Sequence, residues 1–412
     1  MTTTGARAPK RRLVAKVAAP VLSQGITAGT SLVLQVLAAR TLGLAEFGSF
    51  VLLLALLVTA IALYTGWVGD SLAVLDRHEP RTRASIVTSA LAGWMLCFAA
   101  AVGTALLLRD GEAATALAFG TMAVLRLAAE TVRRLLMARL QFWHLVGNDI
   151  VHVTGTVLAL APAAVAGVSL PALFLSMAVG AAAAVFVGVV QLPAAELRQL
   201  RAGTAGLPAV MSFAAWRSLQ ASLRPAALLG SRALVALLVS TAAVGMLEAG
   251  RLVVAPLQVV INGAGSFLLS NFVAKMRQDA VAAQRLVHRA TWLLITGTGV
   301  GGVALTLLAN PLGTLLTGQA VDPLLVLGWV AYLMVWAAGL PHVTEVVARR
   351  MSRHIFLVRL ADSALGIVLV AVVTVLSGSV IAVPWLMACG GIYSAWHVRR
   401  LAIRSRREAR TA

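Results

Sequence analysis

The chain alternates between long apolar runs and short polar breaks rich in arginine. Runs such as Phe47–Val68 and Ala84–Leu108 exceed the roughly 20 helical residues needed to cross a hydrocarbon core about 30 Å thick. Backbone placed in lipid must satisfy its own hydrogen bonds, which leaves helices or a closed barrel. The runs are continuous and do not alternate residue by residue, which selects helices. Twelve spans are predicted, at about 17–39, 47–70, 84–108, 114–136, 145–168, 172–192, 222–243, 249–271, 290–309, 324–346, 354–377 and 379–397.

Composition sharpens this picture. Sixty per cent of the 412 residues are hydrophobic and 12% are charged, half the charged fraction of about 25% typical of a soluble domain. Most of the solvent of this chain is therefore lipid, and the fold class is an all-α polytopic membrane protein. Between the spans the longest connections, Pro193–Val210, Lys275–Ala290 and Asn310–Pro323, are too short to hold a soluble domain. Cys97 and Cys389 fall inside spans and read as packing residues. The first apolar run is too long for a signal-peptide core and is expected to stay as a span.

The net charge of +19 would suggest nucleic acid, but its distribution argues otherwise. Most of the 34 basic residues lie in the N-terminal segment, the even-numbered connections and the tail. The odd-numbered connections carry only Arg40 and Arg109. The positive-inside rule then places both termini in the cytoplasm. No nucleic-acid partner is expected, and some of this charge is suited to anionic membrane lipids.

A short phrase occurs twice. LGLAEFGSF (Leu42–Phe50) and VGMLEAGRL (Val244–Leu252) both spell G-x-x-E-x-G, 202 residues apart. Each copy follows the first span of a half, and six spans separate them, so both have the same orientation. This predicts a parallel repeat of two pseudo-symmetric six-helix lobes. The expected bounds are 17–192 and 222–397, joined by a cytoplasmic connection at 193–221 and flanked by basic segments at 1–16 and 398–412. Locally, Gly43 and Gly245 are expected to end helices with positive φ. Glu46 and Glu248 are expected at helix N-termini, and Gly48 and Gly250 where the helices of each hairpin approach.

The stretches Leu34–Leu56 and Ser231–Gln258, which contain the two phrases, resemble the repeat starts of the polysaccharide (Wzx-like) flippases. These belong to the multidrug/oligosaccharidyl-lipid/polysaccharide (MOP) exporter superfamily. The family's loop after span 1 is of A-r-x-L-G-x-x-x-F/Y-G type. Leu247 stands in the second loop where the family usually has an aromatic residue. The resemblance implies a MATE/MOP-like fold in a bacterial cytoplasmic membrane. It also implies a transporter, not an enzyme, that flips a polyprenyl-pyrophosphate glycan by alternating access for polysaccharide biosynthesis or export. Its partners would be that lipid-linked oligosaccharide and the polymerase and export machinery.

Ionisable residues within spans are costly, at about 2.5–3.5 kcal/mol for an arginine at a helix centre, and so mark candidate sites. Arg126 is mid-span with Glu130 four residues on, and either pairs with it or faces a cavity. Arg232 has no acidic residue at helical spacing and is the leading cavity candidate. Arg217 and Arg224 share a helical face near the cytoplasmic surface, where they can snorkel, and Arg359 lies beside Asp362. Arg251 either pairs with Glu248 or joins the cavity. Together these arginines would form a cationic cavity, and the planar guanidinium fork suits phosphate and pyrophosphate. Glu130, Asp149, Glu248 and Asp362 are the acidic candidates for ion coupling or charge pairing, and Asp149 could join Asn148 and His152 in a polar cluster. A multidrug/cation antiporter of the same fold would need an acidic cavity. A polysaccharide-assembly enzyme embedded in the membrane would need a large catalytic loop. No cofactor or metal is expected: the histidines are scattered, and the glycine run Gly297–Gly302 lacks both a preceding strand and a P-loop lysine.

Overall fold

A computed structural model describes residues 8–276, 280–348 and 351–411, which are mostly helical with no strand among them. Arg7, Arg277, Arg349 and Arg350, four of the basic residues used for the topology, lie outside the described residues, as do residues 1–6 of the expected basic N-terminal segment. Among the described residues twelve long helices follow in order: α1 (Ala8–Thr41), α2 (Gly43–Tyr64), α3 (Pro80–Leu108), α4 (Ala113–Ala138), α5 (Phe142–Ala166), α6 (Leu170–Gln191), α7 (Leu207–Leu238), α8 (Thr241–Met276), α9 (Ala280–Leu307), α10 (Pro323–Ala348), α11 (Ser352–Ser377) and α12 (Val383–Thr411). Eleven of them, α1–α11, are long and apolar enough, over their described residues, to cross a membrane. In α12 the apolar stretch ends at Val398, before Arg399 and Arg400. The chain is a multi-pass membrane protein, and many of its large apolar side chains point outward, Leu107, Val165 and Leu376 among them.

Local chemistry sets several boundaries. Pro80 opens α3 in the first turn, where a missing N–H costs nothing. At α6 the Ser169 hydroxyl accepts from the Ala172 N–H, and Pro171 follows it. Gly378 closes α11 in the left-handed conformation (φ 63°). The breaks between helices are smaller than the hydropathy suggests. α7 begins at Leu207, well inside the expected connection, and Ala309–Thr317 forms a short helix within the expected loop Asn310–Pro323. Both segments are polar enough to read as loops yet keep the backbone hydrogen bonds of a helix.

The chain forms two compact units. The first comprises the residues up to Leu34 with Leu53–Pro225, the second Gln35–Leu52 with Ala226–Ala412. Within the first unit α4 packs on α3 and α6, and α5 packs on α6; within the second α10 packs on α9 and α12, and α11 packs on α12. The second pattern is the first shifted by six helices. Burial repeats too: 61% of the most apolar stretch is buried in both α2 and α8, against 11% in both α3 and α9. The internal repeat is thus visible in packing as well as in the echoed phrase.

The phrase itself has an unexpected geometry. Gly43 is left-handed (φ 74°) and lets the chain turn directly from α1 into α2, as expected. Gly245 is not: it lies within α8 and is right-handed. A side chain on Gly48 would strike the Thr241 carbonyl, and one on Gly245 would strike the Leu44 carbonyl. The close approach is therefore between the two copies of the phrase, not between the helices of each hairpin. Gly250 instead faces Leu325 and Trp329 of α10. Small residues here allow contact between backbones, a common means of helix association in lipid.

Candidate functional site

Two clusters of arginine and carboxylate are candidate sites, one in each unit. In the first unit, Arg133 on α4 donates from Nη1 to Asp149 Oδ1 on α5 at 2.5 Å and from Nη2 to Ser23 Oγ on α1 at 2.9 Å. Ser23 Oγ donates to Asp149 Oδ2 at 2.5 Å and closes the triangle. One turn away along α4, Arg134 Nε donates to Glu130 Oε1 at 2.6 Å, and Arg133 Nε stands 4.0 Å from Glu130 Oε2. Glu130 is thereby committed to Arg134, so the expected local pair with Arg126 does not form. Among the described residues Arg126 makes no hydrogen bond or ion pair. It is half-buried. The expected cluster on α5 forms only in part. Asp149 turns to Arg133 and Ser23, while Asn148 Oδ1 and His152 Nδ1 are buried without a partner among the described residues.

The lower end of α2 supplies the rest of this unit's polar network. After Tyr64 the helix widens into a π-helical turn, Thr65–Gly69, and continues as Asp70–Val74. Such bulges are frequent at functional sites. Gly66 lies against the backbone of Arg217 and Ser218 on α7, and Ser218 Oγ donates to the Leu63 carbonyl at 3.0 Å. Arg217 donates to Asp70 Oδ2 from Nη2 at 2.7 Å and from Nε at 2.9 Å, so it is paired as well as exposed. Tyr64 links Thr131 (2.6 Å) to the Trp94 indole N–H (3.0 Å). Arg224 is half-buried on α7, immediately before Pro225.

In the second unit Glu248 is fully buried and central. It does not lie at a helix N-terminus as expected but two turns into α8; Glu46, by contrast, does lie in the first turn of α2. Arg232 on α7 donates from Nε to Glu248 Oε1 at 2.6 Å, so the residue expected to lack an acidic partner has one from the next helix. Arg251 donates from Nε to Glu248 Oε2 at 2.5 Å, as its i−3 spacing allows. It also donates to Gln35 Oε1 (2.6 Å) and Gln258 Oε1 (3.3 Å). Asp362 packs its carbonyl and carboxylate edge beside Gly390 of α12.

Among the described residues each cluster holds one more arginine than carboxylate. Arg126, Arg133 and Arg134 stand against Glu130 and Asp149, and Arg232 and Arg251 against Glu248. Sequence reasoning missed Arg133 and Arg134, at the inner end of the predicted span 114–136, and Ser23 and Gln35, which carry no charge. The i, i+4 spacing of Glu130 and Arg134 was the available signal. No group of histidine, cysteine, aspartate and glutamate among the described residues could hold a metal.

Known structures share this fold. An inward-facing multidrug-resistance MATE family transporter of the MOP superfamily superposes with a TM-score of 0.71 at 11% identity, covering 92% of this chain and 94% of that one. The lipid II flippase MurJ in an inward closed conformation gives 0.63 at 12% identity over 93% and 86%. A MOP superfamily transporter from Pyrococcus furiosus, described as having a binding pocket of reverse polarity, gives 0.62 at 12% identity over 96% and 97%. No protein-family model matches the sequence, and no curated protein sequence matches it. At such identities the likeness establishes the fold: this chain has the architecture of a MOP superfamily transporter.

Proposed function

We propose that the chain is a membrane transporter that moves an anionic substrate by alternating access, and that the substrate is a polyprenyl-pyrophosphate-linked oligosaccharide of a bacterial cytoplasmic membrane. The observation that carries this reading is Arg126, a half-buried cation on a membrane-spanning helix without a hydrogen bond or ion pair among the described residues. An arginine held there costs free energy unless something anionic meets it. The surplus arginine in the second unit's cluster points the same way. Glu130, Asp149 and Glu248 are each engaged by arginine, which disfavours a cation antiporter that needs a carboxylate free to bind its ion or drug. MurJ, which shares the fold, is a lipid II flippase, and the MATE structure is that of a multidrug resistance transporter, so the fold serves both substrate classes, and the local surplus of arginine favours the anionic one here.

In cells lacking the protein, lipid-linked glycan should accumulate on the cytoplasmic leaflet. Wild type should clear it and Arg126→Ala should not. No accumulation, together with altered sensitivity to cationic drugs, would transfer the assignment to the antiporter.

A further inference from the structure

A second polar site lies away from both clusters, inside the second unit. The first half of α9, the C-terminal third of α10 and the basic part of α12 line a cavity of about 340 Å³, within the range of about 300–1,000 Å³ usual for small-ligand sites. Gln284 and His288 line it from α9, His342 from α10, and Arg399 and Arg406 from α12; Trp292 and Ile403 form its apolar wall. All three helices change character at this level. The uninterrupted apolar run of α9 begins after Arg289, the span of α10 ends before Arg349, and α12 turns basic after Val398. The cavity therefore sits at the rim of the hydrocarbon layer, where headgroup phosphates lie.

Its chemistry is one-sided. The buried Glu345 carboxylate holds the Arg406 guanidinium in place through two hydrogen bonds, 2.8 Å from Nε and 2.5 Å from Nη2. Arg399 is exposed and has no hydrogen bond or ion pair among the described residues. His342 Nδ1 is buried and unpartnered. Arg285 and Arg289 continue the same charge into an adjoining hollow on α9. Two arginines and two histidines thus face one cavity, with Glu345 the single carboxylate in contact with them among the described residues, and the opposite wall is a half-exposed tryptophan and an isoleucine.

We propose that this cavity binds a phosphate-bearing anion, and that its apolar wall selects the headgroup of an anionic phospholipid. Basic pockets between spanning helices are suited to such headgroups, and arginine forks to their phosphates. The site is independent of the transport reading. Its test measures the thermal stability of the purified full chain in detergent against short-chain phosphatidylglycerol, short-chain phosphatidylcholine and inorganic phosphate. Phosphatidylglycerol should stabilise the wild type and phosphatidylcholine should not. Arg399→Gln should weaken the apparent affinity about tenfold, the loss of one charge-assisted bond. Gln284→Glu, which places a carboxylate inside the cavity, should abolish it. Arg400→Gln removes the same charge one residue away, from a guanidinium stacked 3.5 Å over Trp396, and should leave the affinity unchanged. Equal losses for Arg399→Gln and Arg400→Gln, or none for either, would overturn the proposal. Stabilisation by inorganic phosphate as strong as by phosphatidylglycerol would overturn the lipid as its source.

Discussion

Glu248→Gln is the sharpest stability test the structure offers. One oxygen of this fully buried carboxylate takes two contacts from Arg232, both 2.6 Å, and the other takes Arg251 at 2.5 Å. Glutamine keeps the volume, removes the charge and turns one acceptor into a donor aimed at an arginine. Two guanidinium groups with 11% and 18% of their side chains exposed would then be left without their counter-charge. At an effective permittivity of 20, unit charges 4 Å apart attract by about 4 kcal/mol. Breaking a buried pair from one side costs about 3–5 kcal/mol in measured cases, and a loss in that range is expected here. The double variant Glu248→Gln/Arg232→Gln should recover at least about 1 kcal/mol of it, because one stranded charge is removed. The assay is equilibrium unfolding in mixed micelles, followed by tryptophan fluorescence. If Glu248→Gln unfolds within about 0.5 kcal/mol of the wild type, the pair is not buried as described and the reasoning fails.

Three further outcomes are expected. Arg126→Ala should leave stability within about 1 kcal/mol of the wild type, because no pair is broken, while transport falls at least about tenfold; a stability loss as large as that of Glu248→Gln would show a hidden partner. Gly48→Ala drives a Cβ into the Thr241 carbonyl and should destabilise by about 1–3 kcal/mol, whereas Gly103→Ala meets nothing within 4 Å and should be neutral or stabilising in the same melt. Glu112, in the turn before α4, has its carboxyl held below the ordinary value of 4.5 by the Thr115 hydroxyl and by Arg109, against the opposing effect of burial. A depressed carboxyl stabilises above its unfolded value and loses that contribution as pH falls through its folded one, so a pH titration of stability should show a small acid-side loss that Glu112→Gln removes.

Much of the architecture was legible because lipid simplifies the problem. A helix that must satisfy its own backbone announces itself as an apolar run, and α1–α11 follow from length and hydropathy alone. The echoed phrase hinted at the packing pattern that recurs after six helices, and Gly43 in its left-handed turn was legible from residue type. The ends of helices were not, because a polar stretch such as the one opening α7 keeps its helical hydrogen bonds whether or not its side chains are apolar.

The site divides along the same line. Which residues are ionisable and fall within a span is a property of the sequence, and it pointed to Arg126, Glu130, Asp149, Arg232 and Glu248. Which charge is spent on which partner is not. Arg232 had no acid within reach along its own helix and found one on α8, while Arg126 had Glu130 one turn away and lost it to Arg134. Helical spacing fixes only neighbours within one helix, whereas the tertiary fold brings charges from separate helices within 3 Å. At that range a partner on another helix competes on equal terms with one a turn away, and only the packed structure decides which arginine is left over.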